Sequence, residues 1–276
     1  MEEIFKADNS NDAPLVLAKG EGAVLRLEMN RPPANALSIA MMEALKGEIE
    51  KAAADEDVRV IILASSNPGK LFCAGHDLKE MTAHRSDADE GATFYEQTFK
   101  LCANLMLAIV ECPKPVIAEV DGLATAAGCQ LVATCDLAIC TDTSAFCTPG
   151  VNIGLFCSTP MVALTRNVHR KQAMEMLLTG ETIDASTAKE FGLVNRIVPR
   201  QYLNQVMDKY AQTIASKPKS TLTIGKRAFY DRADMSLRDA YDHTAKVMVQ
   251  NMLGGESKEG IGAFLEKRMP DWGNTQ

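Results

Sequence analysis

The sequence predicts an α/β fold, on three observations. Runs of β-branched residues alternate with stretches of helical periodicity up to about residue 200, helical signals dominate beyond it, and two strand ends open into segments of small residues. The 276 residues suit a main domain with an appendage and allow a substantial core. A core over 1–200 and a helical region over 201–276 are therefore expected.

Residues 15–29 read as two short strands joined through Lys19-Gly20-Glu21-Gly22, a hairpin signal. Asn30-Arg31-Pro32-Pro33 interrupts the pattern. A helix over 38–54 follows, with Ile39, Met42, Leu45, Ile49 and Ala53 spaced by three or four and Ser38 suited to its N-cap. The β-branched run 58–65 predicts a buried strand, and Asn67-Pro68-Gly69-Lys70 a loop. Residues 71–81 are of mixed polarity, and 82–91 are polar enough to predict a mobile loop. A second amphipathic helix is expected over 94–110, ended by Pro113 and Pro115. Strands are expected at 115–120 and 136–141, separated by the small-residue segment 121–128 and a helical turn through Leu131 and Val132. Helices are then expected at 171–178, 185–191, 202–215, 222–230, 237–253 and 260–267, with a short strand at 194–198. No fixed-period repeat is present in the sequence.

Acidic residues outnumber basic ones, 36 to 29, for a net charge of −7. That balance argues against a broad nucleic-acid footprint, and an anionic ligand would need local Lys, Arg and backbone N–H groups. No apolar run reaches membrane-spanning length. Residues 1–11 lack the marks of a secretory or transit segment, so a cytoplasmic protein is expected. None of the eight cysteines forms a C-x-x-C pair, and they are read as reduced and mostly buried. The four histidines do not cluster with them, so no metal site is expected. Dinucleotide, P-loop, nucleophile-elbow and zincin fingerprints are absent.

Two segments remain as candidates for chemistry: Phe72-Cys73-Ala74-Gly75-His76-Asp77-Leu78 and the stretch from Asp121 to Leu131. Small side chains let a ligand approach the main chain. A helix opening near Ala127 would present unpaired N–H groups at the positive end of its dipole. Two such donors aimed at one carbonyl oxygen would stabilise an oxyanion. Close packing of small residues at a strand–helix turn accounts for the same spacing.

Asn30-Arg31-Pro32, Asn35-Ala36-Leu37, the FCAGHDLKEM segment, Lys114-Pro115-Val116-Ile117-Ala118, the DGLATAAGCQL segment, Cys135-Asp136 and the stretch from Glu256 to Arg268 occur in an order that resembles the crotonase (enoyl-CoA hydratase/isomerase) superfamily. The resemblance runs over nearly the whole chain. It implies a spiral of repeated ββα turns, followed by a helical region that forms trimers, often paired into hexamers. It implies an acyl-CoA thioester as ligand, with coenzyme A as part of the substrate and no separate cofactor. The thioester oxygen would sit between the N–H groups of Ala74 and Ala127. The family usually has glycines where this chain has Ala126 and Ala127.

The resemblance also marks a departure. Gln130 and Gly150 stand where family hydratases carry two glutamates. Hydration needs a base to activate water and an acid to protonate the α-carbon, and neither an amide nor a glycine supplies them. Two functions stay open: an enolate-stabilising enzyme (a residual hydratase/isomerase, decarboxylase or thioesterase) and a catalytically silent acyl-CoA-binding or scaffolding homologue. The resemblance puts Arg31 near the pantetheine entrance, with Ala36 in the adjoining motif. Cys73, His76, Asp77 and Leu78 flank the first donor, in a stretch that contributes backbone to the nucleotide end. His76 is also weighed as a base, since histidine titrates near neutral pH. Cys157 and Ser158 would line the acyl site. Ser158 falls near the aspartate of dienoyl isomerases and cannot replace it, and a nucleophilic Cys157 would need a base that the sequence does not show. Lys258 and Lys267 would meet CoA phosphates across a subunit boundary, or else belong to a solvated helix face. His84 and Glu90 lie in the polar segment flanking the acyl pocket, and Asp136 reads as a structural carboxylate at a strand start.

Overall fold

The computed structural model describes residues 13–274, and the reading of residues 1–11 lies outside the described residues. Strands β1 (Val16–Glu21) and β2 (Val24–Met29) form the expected hairpin, paired from Val16 opposite Met29 to Glu21 opposite Val24. Gly22 takes φ +58° at the turn, a conformation glycine adopts without a Cβ clash. Helix α1 (Ile39–Ala54) begins where predicted, with the Ser38 hydroxyl accepting from the Met41 N–H at 3.2 Å.

Three turns of strand, strand and helix follow. The first is β3 (Val60–Ser65), β4 (Lys70–Cys73), α2 (Leu78–Ala83) and α3 (Ala92–Glu111); the second is β5 (Val116–Val120), β6 (Gly122–Thr125) and α4 (Ala127–Thr134). The third is β7 (Leu137–Thr141), β8 (Ala145–Cys147), α5 (Ser158–Asn167) and α6 (Arg170–Thr179). Then come β9 (Ile183–Asp184), α7 (Ala185–Glu190) and β10 (Arg196–Val198). The first strand of each turn joins a sheet ordered β1-β2-β3-β5-β7-β10, and the second joins a sheet ordered β4-β6-β8-β9. The pairs β2–β3, β3–β5, β5–β7 and β7–β10 are parallel, as are β4–β6 and β6–β8. The repeat is therefore one of topology, which is why the sequence shows no period.

The sequence reading missed β4, β6 and β8, which have only three or four residues and no alternation to read. It also missed α2, a six-residue helix started by Asp77, whose carboxylate accepts from the N–H groups of Lys79 and Glu80. Nor was α5 foreseen. The segment 82–91, expected as a mobile loop, is structured instead. It holds the end of α2, a 3-10 turn at His84–Ser86, and a tight entry into α3. The His84 ring stacks on Phe94 at 3.7 Å, and the Tyr95 hydroxyl donates to the Met81 carbonyl at 3.1 Å.

Strand β3 shows why its run is apolar throughout. Ile61 and Leu63 face a core shared with α1, α3 and α4, while Val60, Ile62 and Ala64 face a second core. That second core is closed by Leu203, Met207, Ala211 and Ala215 of α8 (Leu203–Ala215). Burying Leu203 and Met207 contributes about 1.5–3 kcal/mol each, and the two alanines less. Beyond α8 lie α9 (Lys219–Asp231), α10 (Leu237–Leu253) and α11 (Gly255–Glu266). Asp136 ties α9 to the spiral, as its reading as a structural carboxylate implies. It accepts from Lys226 Nζ at 2.7 Å, Tyr230 Oη at 2.8 Å and the Val116 N–H at 2.7 Å. Among the described residues no helix is long and apolar enough to cross a membrane.

Candidate functional site

Two loops meet at the ends of β4 and β6. The chain leaves β6 through Ala126, at φ +51° and ψ −118°, and enters α4 at Ala127. An L-residue held there carries strain of about 1–3 kcal/mol. The Ala126 N–H donates to the Cys147 carbonyl at 2.9 Å, and its carbonyl accepts from the Gln130 N–H at 3.0 Å, which pins the turn. As the first residue of α4, Ala127 presents an N–H with no intrahelical acceptor, at the positive end of a helix that is buried along its whole length.

Gly75 brings the other loop against this turn. It takes φ +84°, and a Cβ there would lie 2.9 Å from Ala126 Cβ and 3.1 Å from Ala127 N. A Cβ on Gly128 would lie 2.3 Å from the Cys73 carbonyl oxygen, so α4 rests directly on the end of β4. The two predicted segments are thus adjacent, and both glycines are required by close approach.

The two donors differ in state. The Ala74 N–H donates to the Ala34 carbonyl at 3.0 Å. Leu37 N–H then donates to Gly75, and Asp77 N–H to Leu37, so residues 34–37 run alongside 74–77 like a short parallel bridge. Of the two expected donors, Ala74 is bonded to the main-chain carbonyl of Ala34, the residue just before the Asn35-Ala36-Leu37 motif, while Ala127 has no intrahelical acceptor. Buried Asn35 fixes this motif by donating to Ser65 Oγ and the Phe72 carbonyl, and Cys73 Sγ donates to its carbonyl.

Gln130 is buried on α4, its Oε1 3.8 Å from the Cys102 thiol on α3. Gly150 lies in the 3-10 turn Pro149–Ile153, and its position is closed. A Cβ there would lie 2.6 Å from the Leu155 carbonyl oxygen and 2.9 Å from Cys157 Sγ. The Leu155 N–H in turn donates to the Gly150 carbonyl at 2.9 Å. Leu155 and Cys157 occupy the space a side chain would use.

Other candidates have structural duties. Asp77 caps α2 and pairs with Arg31 at 3.2 Å. Burial pushes the Cys157 thiol up, which opposes a nucleophilic role, and it pushes Cys73 and Cys102 up to about 12. Ser158 is exposed at the start of α5 and Leu78 is exposed at the start of α2, while Ala36 is half-buried in the bridge. Lys267 is exposed at the end of α11, at φ +56°, and Lys258 is exposed on the same helix. The His76 ring meets Phe99 edge-on at 5.4 Å, and burial lowers its pKa below that of ordinary histidine. Ala34, Phe99, Cys102 and Leu155 were not singled out from sequence, since a carbonyl or an apolar side chain in a long helix gives no signal of its own.

The family model described as Enoyl-CoA hydratase/isomerase matches residues 19–275. The chain belongs to the enoyl-CoA hydratase/isomerase family. The mitochondrial enoyl-CoA hydratase domain-containing protein 3 of Xenopus laevis is 45% identical over 260 residues, covering 94% of this chain and 86% of that protein. The crystal structure of an enoyl-CoA hydratase from Mycobacterium smegmatis superposes with a TM-score of 0.88 at 46% identity, covering 94% of this chain and 99% of that one. The crystal structure of human enoyl-CoA hydratase domain-containing protein 3 gives 0.88 at 42% identity, covering 94% and 100%. The fold is therefore that of the crotonase family, with its C-terminal helices present. Cytoplasmic localisation, expected from residues 1–11, is overturned. The relatives from Xenopus laevis, Rattus norvegicus, Mus musculus and Homo sapiens are all named mitochondrial, and polarity of a short N-terminal segment does not determine the compartment.

Proposed function

We propose that this protein binds an acyl-CoA thioester and stabilises the enolate form of its acyl group without adding water. The observation that carries this reading is the closed position at Gly150, together with the amide at Gln130. Without two carboxylates the site has no conventional pair for activating water and protonating carbon. The buried Ala127 N–H still supplies an oxyanion donor, and one such donor is worth about 3–4 kcal/mol to a transition state. Coenzyme A enters as part of the substrate, with no separate cofactor. The reading expects binding of acyl-CoAs in a calorimetric titration and crotonyl-CoA hydration at least about a hundredfold below a glutamate-bearing hydratase. Hydration at a full rate would sink it.

The bond from Ala74 N–H to Ala34 favours a second reading, a catalytically silent acyl-CoA-binding homologue. Binding with no proton exchange at the acyl α-carbon would select it.

Assembly as a homotrimer or homohexamer is part of the proposal. Leu237, Tyr241, Phe264, Leu265 and Met269 of the C-terminal region are all at least 70% exposed, an apolar surface suited to burial between subunits. Lys267 would then face a CoA phosphate of a neighbouring subunit. Light scattering on the purified protein checks the assembly.

A further inference from the structure

Both ring nitrogens of His76 are closed off from solvent, and neither makes a hydrogen bond of ordinary geometry, the Leu37 main chain being the polar group close enough to act on the ring. A buried polar group in that state calls for an explanation. The residue is fixed by the bridge to Leu37 and stands two positions beyond Ala74. Its ring lies against Phe99 of α3. Phe99 and Cys102 are three residues apart and share a helix face, and Cys102 contacts the Gln130 amide. The imidazole and the amide that replaces a glutamate therefore lie against the same face of α3.

We propose that the His76 imidazole is the proton-transfer group of this site, taking the α-proton of an acyl-CoA thioester whose carbonyl oxygen rests on the Ala127 N–H. The inference depends on the thioester-binding reading above. In the step, the Cα–H bond breaks and its electron pair forms the enolate double bond. The carbonyl π pair moves to oxygen, and the proton goes to the free ring nitrogen. With a β,γ-unsaturated chain the ring, after exchange of its proton with solvent, returns a proton to Cγ, and the double bond moves to the α,β position. No atom is gained or lost, no water is added, and no oxidant is needed.

The surroundings leave this task to the ring. Asp77 is paired with Arg31, and Glu80 accepts from the Ile39 N–H. The Cys73 and Cys102 thiols are pushed up to about 12, and Gln130 does not titrate. Burial keeps the ring in its neutral, basic form near pH 7.

The test uses the full chain with 3-hexenoyl-CoA in deuterium oxide. Mass spectrometry follows deuterium uptake, and NMR follows movement of the double bond. Butyryl-CoA binding is measured separately by calorimetry. Wild type should exchange and isomerise, with a rate that rises with pH through one inflection below the ordinary histidine value of about 6.5. His76→Gln should bind butyryl-CoA as wild type does, while losing about a hundredfold or more in exchange and losing the inflection. Added imidazole should partly restore exchange to His76→Ala, which a merely structural role would not allow. Exchange retained in His76→Gln overturns the proposal. Wild type that binds butyryl-CoA but exchanges nothing overturns it while leaving the binding reading intact, and wild type that binds no acyl-CoA overturns both. If the variants fail to fold, a wild-type rate without the inflection overturns it on its own.

Discussion

Cys157 Sγ stands where a side chain on Gly150 would have to begin, 2.9 Å from the place of its Cβ, with the Leu155 carbonyl oxygen closer still at 2.6 Å. Glycine here is part of a repacked turn, so restoring a glutamate means displacing backbone. Gly150→Glu, alone or with Gln130→Glu, should therefore yield no crotonyl-CoA hydration. Gly150→Ala should already cost about 1–3 kcal/mol in a urea melt, the usual penalty for overpacking. Hydration regained by the double variant would show that the loop 154–157 yields easily.

Asp136 and Lys226 form a largely buried pair that joins α9 to the spiral, with side chains 16% and 7% exposed. Lys226→Met leaves a buried carboxylate short of its cation. A loss of about 3–5 kcal/mol is expected in chemical denaturation. A loss below about 1 kcal/mol would mean that Tyr230 and the Val116 N–H suffice for Asp136.

Ala126 holds a backbone conformation that glycine takes without strain. Ala126→Gly should relieve about 1–3 kcal/mol and lose about 0.5–1 kcal/mol to the freer unfolded chain. A net gain of about 1 kcal/mol in unfolding free energy is the expected sign.

Glu256 fastens α11 to the start of α9, accepting from the N–H groups of Ser220 and Thr221. Burial raises its pKa, but the bonds from Ser220 and Thr221 outweigh burial and hold the carboxyl below the ordinary glutamate value. A depressed carboxylate stabilises the fold above its unfolded pKa, and that stability is lost as pH falls through the folded value. Wild type should thus lose more stability than Glu256→Gln on going from neutral pH to the acid side of the carboxylate range. Equal slopes of Tm against pH would refute this role.

The longer elements were legible from side-chain pattern alone. Ser38 and the spacing after it define α1, and the β-branched run defines β3, because periodicity and capping are local properties. The ordered motifs indicated the family and named the two loops that meet at the site. The short strands β4, β6 and β8 were invisible, since three or four residues carry no period and hold their place through neighbouring strands distant in sequence, all parallel except the antiparallel pair β8–β9.

What the sequence determined by itself is chemical identity: an amide at 130, no side chain at 150, an imidazole at 76, and small residues at two strand ends. Tertiary structure decided which of these are available. It bonded Ala74 to Ala34, left Ala127 at a helix start, folded Leu155 and Cys157 over Gly150, and closed the His76 ring nitrogens off from solvent against Phe99. The Ala34–Ala74 bond and the packing of His76 on Phe99 join residues 40 and 23 positions apart, and the turn over Gly150, though local, closes through backbone contacts; side-chain pattern encodes neither.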